Sequence, residues 1–357
     1  MSATQLSPSQ LEEFLIAAYE IKEPVVVVGK PGVGKTAIYG QVAEKVGADF
    51  IRSHPALDDP TDGKGLPDFV GTGKTRRAEF VPIGQFEKVL HSTRPTIWLL
   101  DDFLMAPDSV QKTYMQWLHG RECAGHVLPD HVQIVIATND RTHRAGVIGM
   151  LEPIKSRATI VELVENLEEW AVWLFGQTEI DGVKIPTEVA AETVAFLKFK
   201  SDLFCHFEPN VDLKNSPNPR TWVKSLKWFT RDLSPAVQLA SIAGVVGEGA
   251  AAERMAFRQM YRELPTIEDI LRDPSTGKIP NNLSVLYAVA LALGSRASAK
   301  NFNKIAQYAT RLEQASRGDF AALMIRDAMR RKPELQQTPE FVNLMSSPLG
   351  QLIGGGR

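Results

Sequence analysis

A chain of 357 residues, 44% hydrophobic and 23% charged, carries enough apolar material for two or three compact units. No apolar run in it approaches the roughly 20 residues of a bilayer span. Its 40 basic and 42 acidic side chains leave a formal charge of −2, which lacks the basic excess of a protein whose main ligand is nucleic acid. Two distant cysteines, Cys123 and Cys205, argue against a disulfide scaffold, Cys205-His206 is a poor chelate spacing, and the start has neither a basic nor an apolar signal region; a cytoplasmic protein without membrane contact is expected.

Ser7, Pro8 and Gln10 form a helix start, with serine as N-cap, proline at the first helical position and glutamine closing a capping box, so a helix is predicted to about Ile21. Val25 to Val28 is a continuous β-branched run, the pattern of a strand buried on both faces of a parallel sheet. A weak strand follows at 49–52 and a strong one at 96–100. A helix is predicted through Val110, Tyr114, Trp117 and Leu118, with Asp108 as its cap, and further strands at 132–137 and 159–163. Such alternation implies an α/β fold with a doubly wound parallel sheet over residues 1–163. Helical patterns then take over at 168–175, 187–204 and 222–229, defining a small helical subdomain, 164–235. A C-terminal helical region, 236–345, carries helices at 251–263, 283–293, 301–315 and 320–331, and 346–357, with its run of glycines, reads as a disordered tail.

The chemistry concentrates in two places. Gly29-Lys30-Pro31-Gly32-Val33-Gly34-Lys35-Thr36 fits G-x-x-x-x-G-K-[ST] in full and stands between a strand and a helical pattern, the context a phosphate-binding loop requires. Its glycines let backbone N–H groups turn toward phosphate oxygens, Lys35 would neutralise the β- and γ-phosphates of ATP, and the Thr36 hydroxyl would ligate magnesium. The similar string Gly71-Thr72-Gly73-Lys74-Thr75 has no buried strand before it and reads as a hairpin turn, with Lys74, Arg76 and Arg77 on a solvated face. The strand at 97–100 delivers Asp101 and Asp102 to the carboxyl edge of the sheet, where Asp101 would hold magnesium through water and Asp102 would orient the attacking water. Aspartate is one methylene shorter than the commoner glutamate there, which predicts slow turnover.

The stretch from Leu99 to Pro107, followed by Gln111, Met115 and Gly120-Arg121-Glu122, resembles the corresponding strand and helix of MoxR-like AAA+ ATPases, as do Asp59-Pro60-Thr61-Asp62 and Gly65-Leu66-Pro67 upstream. The resemblance covers about residues 20–230. It implies a P-loop αβα module, a helical lid and a ring, expected to be a hexamer. It makes Asn139 the amide beside the γ-phosphate, with Thr138 as fallback. Arg157, here flanked by Ser156 and Ala158, becomes an arginine finger for a neighbouring subunit, and Arg220 the lid arginine of the chain's own site. By analogy it also implies a protein substrate or adaptor, such as a von Willebrand factor A domain protein. Leu66, Pro67 and Phe69 would either face a ring pore or pack as a hairpin. The expected function is an ATP-driven protein remodeller. The alternatives are a slow nucleotide-dependent assembly module and a DNA-acting AAA+ ATPase.

Overall fold

The chain, described here by a computed structural model, is defined at residues 4–139, 152–207, 214–262, 267–280 and 283–354. In chain order the first part runs through β1 (Gln5–Leu6), α1 (Pro8–Glu20), β2 (Val25–Gly29), α2 (Lys35–Lys45) and β3 (Asp49–Ser53). A hairpin of β4 (Leu66–Val70) and β5 (Arg77–Val81) follows, then α3 (Gly84–Leu90), β6 (Thr96–Leu100) and α4 (Asp108–Gly120). A short hairpin, β7 (Glu122–Cys123) with β8 (His126–Val127), leads to β9 (Val132–Asn139), α5 (Glu152–Lys155) and β10 (Thr159–Leu163).

Six of these strands form one parallel sheet in the order β1-β10-β2-β9-β6-β3. The α/β parallel class expected from the alternation is the one observed. β6 and β9 are buried at every residue and β2 at all but Val28, as unbroken apolar runs in a parallel sheet require. β3 is weak in sequence because it is an edge strand whose first four residues alternate between half-buried and exposed, with only Ser53 buried. The chain leaves β2 for β3 on one side and later crosses β2 to reach β10 on the other, so connections diverge at β2. Open α/β sheets bind ligands at such a point, beyond the carboxyl ends of the strands.

Between the sheet and α3 and α4 lies a core of large rings. Phe86 and Trp117 stand 5.1 Å apart between centroids, and Trp98 and Tyr114 5.8 Å. Both indoles have partners for their N–H groups, Trp98 on Ser53 Oγ at 3.0 Å and Trp117 on the Gly63 carbonyl at 2.7 Å, which removes the cost of burying them. At the start of α1, the Ser7 N–H donates to Gln10 Oε1 at 3.0 Å, as the capping pattern predicts. Asp108 is the first helical residue of α4 rather than its cap, a place that Pro107 takes.

The chain divides into two compact units, one of residues 1–169 with 207–213 and 218–220, the other of 170–206, 214–217 and 221–357. Arg220 therefore groups with the sheet rather than with the helical segment that follows it. The second unit is built from α6 (Leu167–Gly176), a hairpin of β11 (Glu179–Ile180) and β12 (Val183–Lys184), α7 (Thr187–Phe199), α8 (Pro219–Phe229), α9 (Pro235–Val246) and α10 (Glu248–Arg262), the first residues of α6 and α8 belonging to the first unit. It continues with α11 (Ile267–Arg272), α12 (Leu283–Ser295), α13 (Phe302–Gln314), α14 (Gly318–Arg331), α15 (Pro339–Met345) and α16 (Pro348–Gly354). Leu286, Val289 and Leu293 of α12 pack with Ile305, Tyr308 and Leu312 of α13 and Met324 and Ile325 of α14. The tail does not follow the disordered expectation at 348–354. Proline starts α16, Leu349 is buried, and Arg326 Nε donates to the Ile353 carbonyl at 3.1 Å, so the end of α16 is held by its neighbours. Gly355 to Arg357 lie outside the described residues. Among the described residues no helix is long and apolar enough to cross a membrane.

Candidate functional site

The loop between β2 and α2 curls because two of its glycines adopt left-handed backbone, Gly32 at φ +78° and Gly34 at φ +109°. Lys35, the first residue of α2, is buried and turns back over the loop. Its ammonium donates to the Gly29 carbonyl at 2.8 Å, the Lys30 carbonyl at 3.0 Å and Asn139 Oδ1 at 3.0 Å. A cleft is lined by Pro31, Gly32, Gly34, Lys35, Thr36, Asp101, Asp102, Asn139 and Arg220. Most of the residues singled out by sequence thus converge, at the carboxyl edge of the sheet and beside the divergence at β2.

Asp101 and Asp102 enter the cleft from the end of β6. Thr36 Oγ1 donates to Asp101 Oδ2 at 3.0 Å, and Asp101 Oδ1 accepts the Asp102 N–H at 3.1 Å. A hydroxyl and a carboxylate side by side are hard oxygen donors of the kind magnesium takes, so the pair suits a site with Thr36 as a direct ligand and Asp101 acting through water. Asp102 has left-handed backbone, φ +53°, a sparsely populated state that short polar residues enter most readily. Asn139, the last residue of β9, donates from Nδ2 to Asp102 Oδ1 at 3.1 Å and so bridges Lys35 and Asp102. Thr138 faces away from this bridge; its Oγ1 accepts the Leu104 N–H at 3.3 Å and supports the turn after Asp102. Below the cleft, burial first and the Asp101 carboxylate second hold the Tyr39 phenol well above its ordinary pKa; it stays neutral and donates to the Ile136 carbonyl at 3.1 Å, tying α2 to β9.

Of the expected residues, Gly29, Lys30, Val33 and Arg157 do not line the cleft. Lys30 pairs with Glu165 instead of facing it, and Val33 is buried beneath the loop. Arg157 precedes the amino end of β10, whereas the phosphate-binding loop follows the carboxyl end of the parallel, in-register β2. On the order of 15 Å of strand separates the two edges, so Arg157 does not reach its own chain's cleft. Its Nε donates to His119 Nδ1 at 2.8 Å and its Nη1 to the Pro153 carbonyl at 2.6 Å. Gly71 to Thr75 form the turn of the β4–β5 hairpin, as expected of that failed loop motif. Asn218 and Tyr39 escaped the sequence reading, since each is placed by contacts between segments distant in the chain. The larger cavity of the second unit, about 520 Å³ beside Tyr287, Phe320 and Arg326, has no phosphate-binding loop, and its arginine is engaged by α16 carbonyls.

No family model and no curated protein matches the chain. Among solved structures it is similar to a RuvB variant from Thermotoga maritima, at 15% identity over 86% of this chain and 87% of that one with a TM-score of 0.41. It is also similar to the Thermotoga maritima RuvB Holliday junction branch migration motor, at 13% identity over 86% of each chain with a TM-score of 0.40. A third likeness is to NtrX from Brucella abortus in complex with ADP, at 15% identity over 96% of this chain and 68% of that one with a TM-score of 0.34.

Proposed function

We propose that this chain is a magnesium-dependent ATPase of the AAA+ class, MoxR-like in type, that assembles into a ring and couples ATP hydrolysis to remodelling of a protein partner in the cytoplasm. The observation that carries the reading is the bridge from Lys35 through Asn139 to Asp102, set beside the Thr36–Asp101 pair at the mouth of a phosphate-binding loop. A cation, two carboxylates and a hydroxyl oxygen within one cleft support roles in binding phosphate, orienting water and holding magnesium.

In this reading the loop from Gly29 to Gly34 cradles the phosphates and Lys35 neutralises charge on the β- and γ-groups. Thr36, and Asp101 through water, would hold magnesium, which would supply charge neutralisation on the phosphates. Asp102 orients a water for attack on the γ-phosphorus; the bond to the β–γ bridging oxygen breaks, ADP and phosphate leave, and the proton passes to solvent. Asn139 keeps Asp102 and Lys35 in register, and Arg220 meets charge on the γ-phosphate. Arg157 serves a neighbouring subunit's nucleotide, since an arginine supplied in trans adds about 10³–10⁵ in rate. That role makes turnover depend on self-assembly, with a hexamer as the expected ring, and the MoxR resemblance adds a von Willebrand factor A domain protein as candidate adaptor.

The test is the ATPase rate per subunit against protein concentration, with magnesium and with chelator, alongside light scattering for mass. A magnesium-dependent rate that rises as mass rises, and is lost in Lys35→Ala with nucleotide binding, supports the reading. A second reading, a slow nucleotide-dependent assembly switch, is favoured by the short Asp102 side chain already engaged by Asn139. It is preferred if ATP binds tightly, mass changes with nucleotide, and Asp102→Ala leaves both assembly and partner binding intact. Salt-dependent DNA binding would instead favour the DNA-acting alternative, which the formal charge of −2 disfavours.

A further inference from the structure

We propose that Asn218 is a positioning residue for the phosphate-binding loop, holding Gly32 in the conformation that receives the phosphates of either ATP or ADP. The inference rests on the nucleotide-binding reading of the cleft and adds to it a residue outside the loop motif, the strand carboxylates and Arg220.

The two left-handed glycines of the loop have different surroundings. A Cβ added at Gly34 would meet nothing within 4 Å, so only its backbone conformation demands glycine. A Cβ added at Gly32 would lie 2.3 Å from Asn218 Oδ1 and 2.6 Å from Asn218 Cγ, so the buried amide of Asn218 lies directly against the Gly32 α-carbon. Two residues on, the Arg220 N–H donates to the Gly32 carbonyl at 3.1 Å. A trans peptide sets its C=O and N–H antiparallel, so fixing the Gly32 carbonyl also fixes the direction of the Val33 N–H, one of the donors a bound phosphate would meet. At the other end of the loop a Cβ on Gly29 would stand 2.8 Å from the Leu163 carbonyl, while Lys35 holds the Gly29 and Lys30 carbonyls. The loop is therefore gripped at its start by β10 and Lys35 and at its middle by residues 218–220. A loop held in its bound shape gives up less freedom on binding, and that saving appears as affinity.

Asn218 lies against Gly32, in the part of the loop that would meet phosphates common to ATP and ADP, whereas Arg220 lines the cleft where a γ-phosphate would lie. The two residues should therefore separate in their nucleotide preference. Titration of the full chain with fluorescent ATP and ADP analogues, read with thermal melting and binding stoichiometry, is expected to show Asn218→Ala weakening both nucleotides by a similar factor, about three- to tenfold. Arg220→Ala is expected to weaken ATP more than ADP. Gly32→Ala should lose binding through both its left-handed backbone and its clash with Asn218. Adding Asn218→Gly should restore part of that loss, a coupling that general destabilisation would not produce. Asn218→Ala with wild-type affinity for both nucleotides, or strictly additive losses in the Gly32/Asn218 pair, would overturn the proposal while Lys35→Ala still loses binding. A wild-type chain that binds neither nucleotide would take down the nucleotide reading and this inference with it.

Discussion

Replacing Asn139 by alanine removes one buried amide that serves two charged groups, and the two ends of that amide should fail differently. Lys35 loses the Oδ1 acceptor but keeps the Gly29 and Lys30 carbonyls at 2.8 and 3.0 Å, so its ammonium stays over the loop. Nucleotide affinity is expected to change by less than about threefold, because the hydrogen bonds to the two loop carbonyls survive. Asp102 loses the Nδ2 donor at 3.1 Å that sets its carboxylate. A hydrogen bond to a charged group contributes about 1.5–3 kcal/mol, and at 1.36 kcal/mol per factor of ten its loss from a water-orienting carboxylate lowers kcat by about 10- to 150-fold. The assay is steady-state turnover of the assembled protein at saturating magnesium and ATP, with a separate equilibrium titration of nucleotide. Unchanged kcat with weakened affinity would refute the reasoning, since it would make Asn139 a support for Lys35 alone.

Arg157→Ala should leave nucleotide affinity unchanged and lower turnover by about 10³-fold or more, and mixing it with an Asp102→Ala chain should restore activity in rings where an intact arginine meets an intact cleft; turnover at the wild-type level would remove the trans role. Thr36→Val keeps the shape of the side chain but not its oxygen, so a magnesium titration of the ATPase rate should shift to higher concentration, and an unchanged midpoint would take Thr36 out of the metal site. Burial, aided by Asp62 and opposed by the Tyr114 hydroxyl, raises the Asp58 carboxyl above its ordinary pKa. Its contribution to stability is therefore full below the unfolded pKa and is lost as pH rises through the folded value. Asp58→Asn should gain in melting temperature over the wild type as pH rises from about 4 toward 7, and a constant difference would contradict the raised pKa.

Local pattern accounts for most of the first unit. The β-branched run at β2 and the apolar runs at β6 and β9 are buried strands because a parallel sheet covers both faces, and β-branched residues in a run too short for a helix favour the strand. Of two short hairpins, the one at Asp181-Gly182 has a turn dipeptide legible in sequence, whereas Ala124-Gly125 has none. Asp181-Gly182, with φ +46° and +76°, joins β11 to β12, and Ala124-Gly125, with φ +52° and +88°, joins β7 to β8; paired positive φ values are what a two-residue hairpin turn requires. β1 has only two residues, too few for any period, and exists because β10 offers an edge to pair with. α9 begins with proline after Ser234, a readable start, but its side chains are apolar nearly all round and show no amphipathic stripe.

The spacing of glycines, Lys35 and Thr36 and the paired carboxylates after β6 are determined by the sequence itself, because a phosphate-binding turn and a strand end are made from consecutive residues. The meeting of Asn139 with both Lys35 and Asp102 needed the sheet order that inserts β9 between β2 and β6. The grip of Asn218 on Gly32, the distance of Arg157 from its own cleft and the retention of α16 by Arg326 were likewise decided by tertiary structure. Each is a contact between segments far apart in the chain, and its energy is gained only after the loops between them have closed, so no local pattern of residues records it.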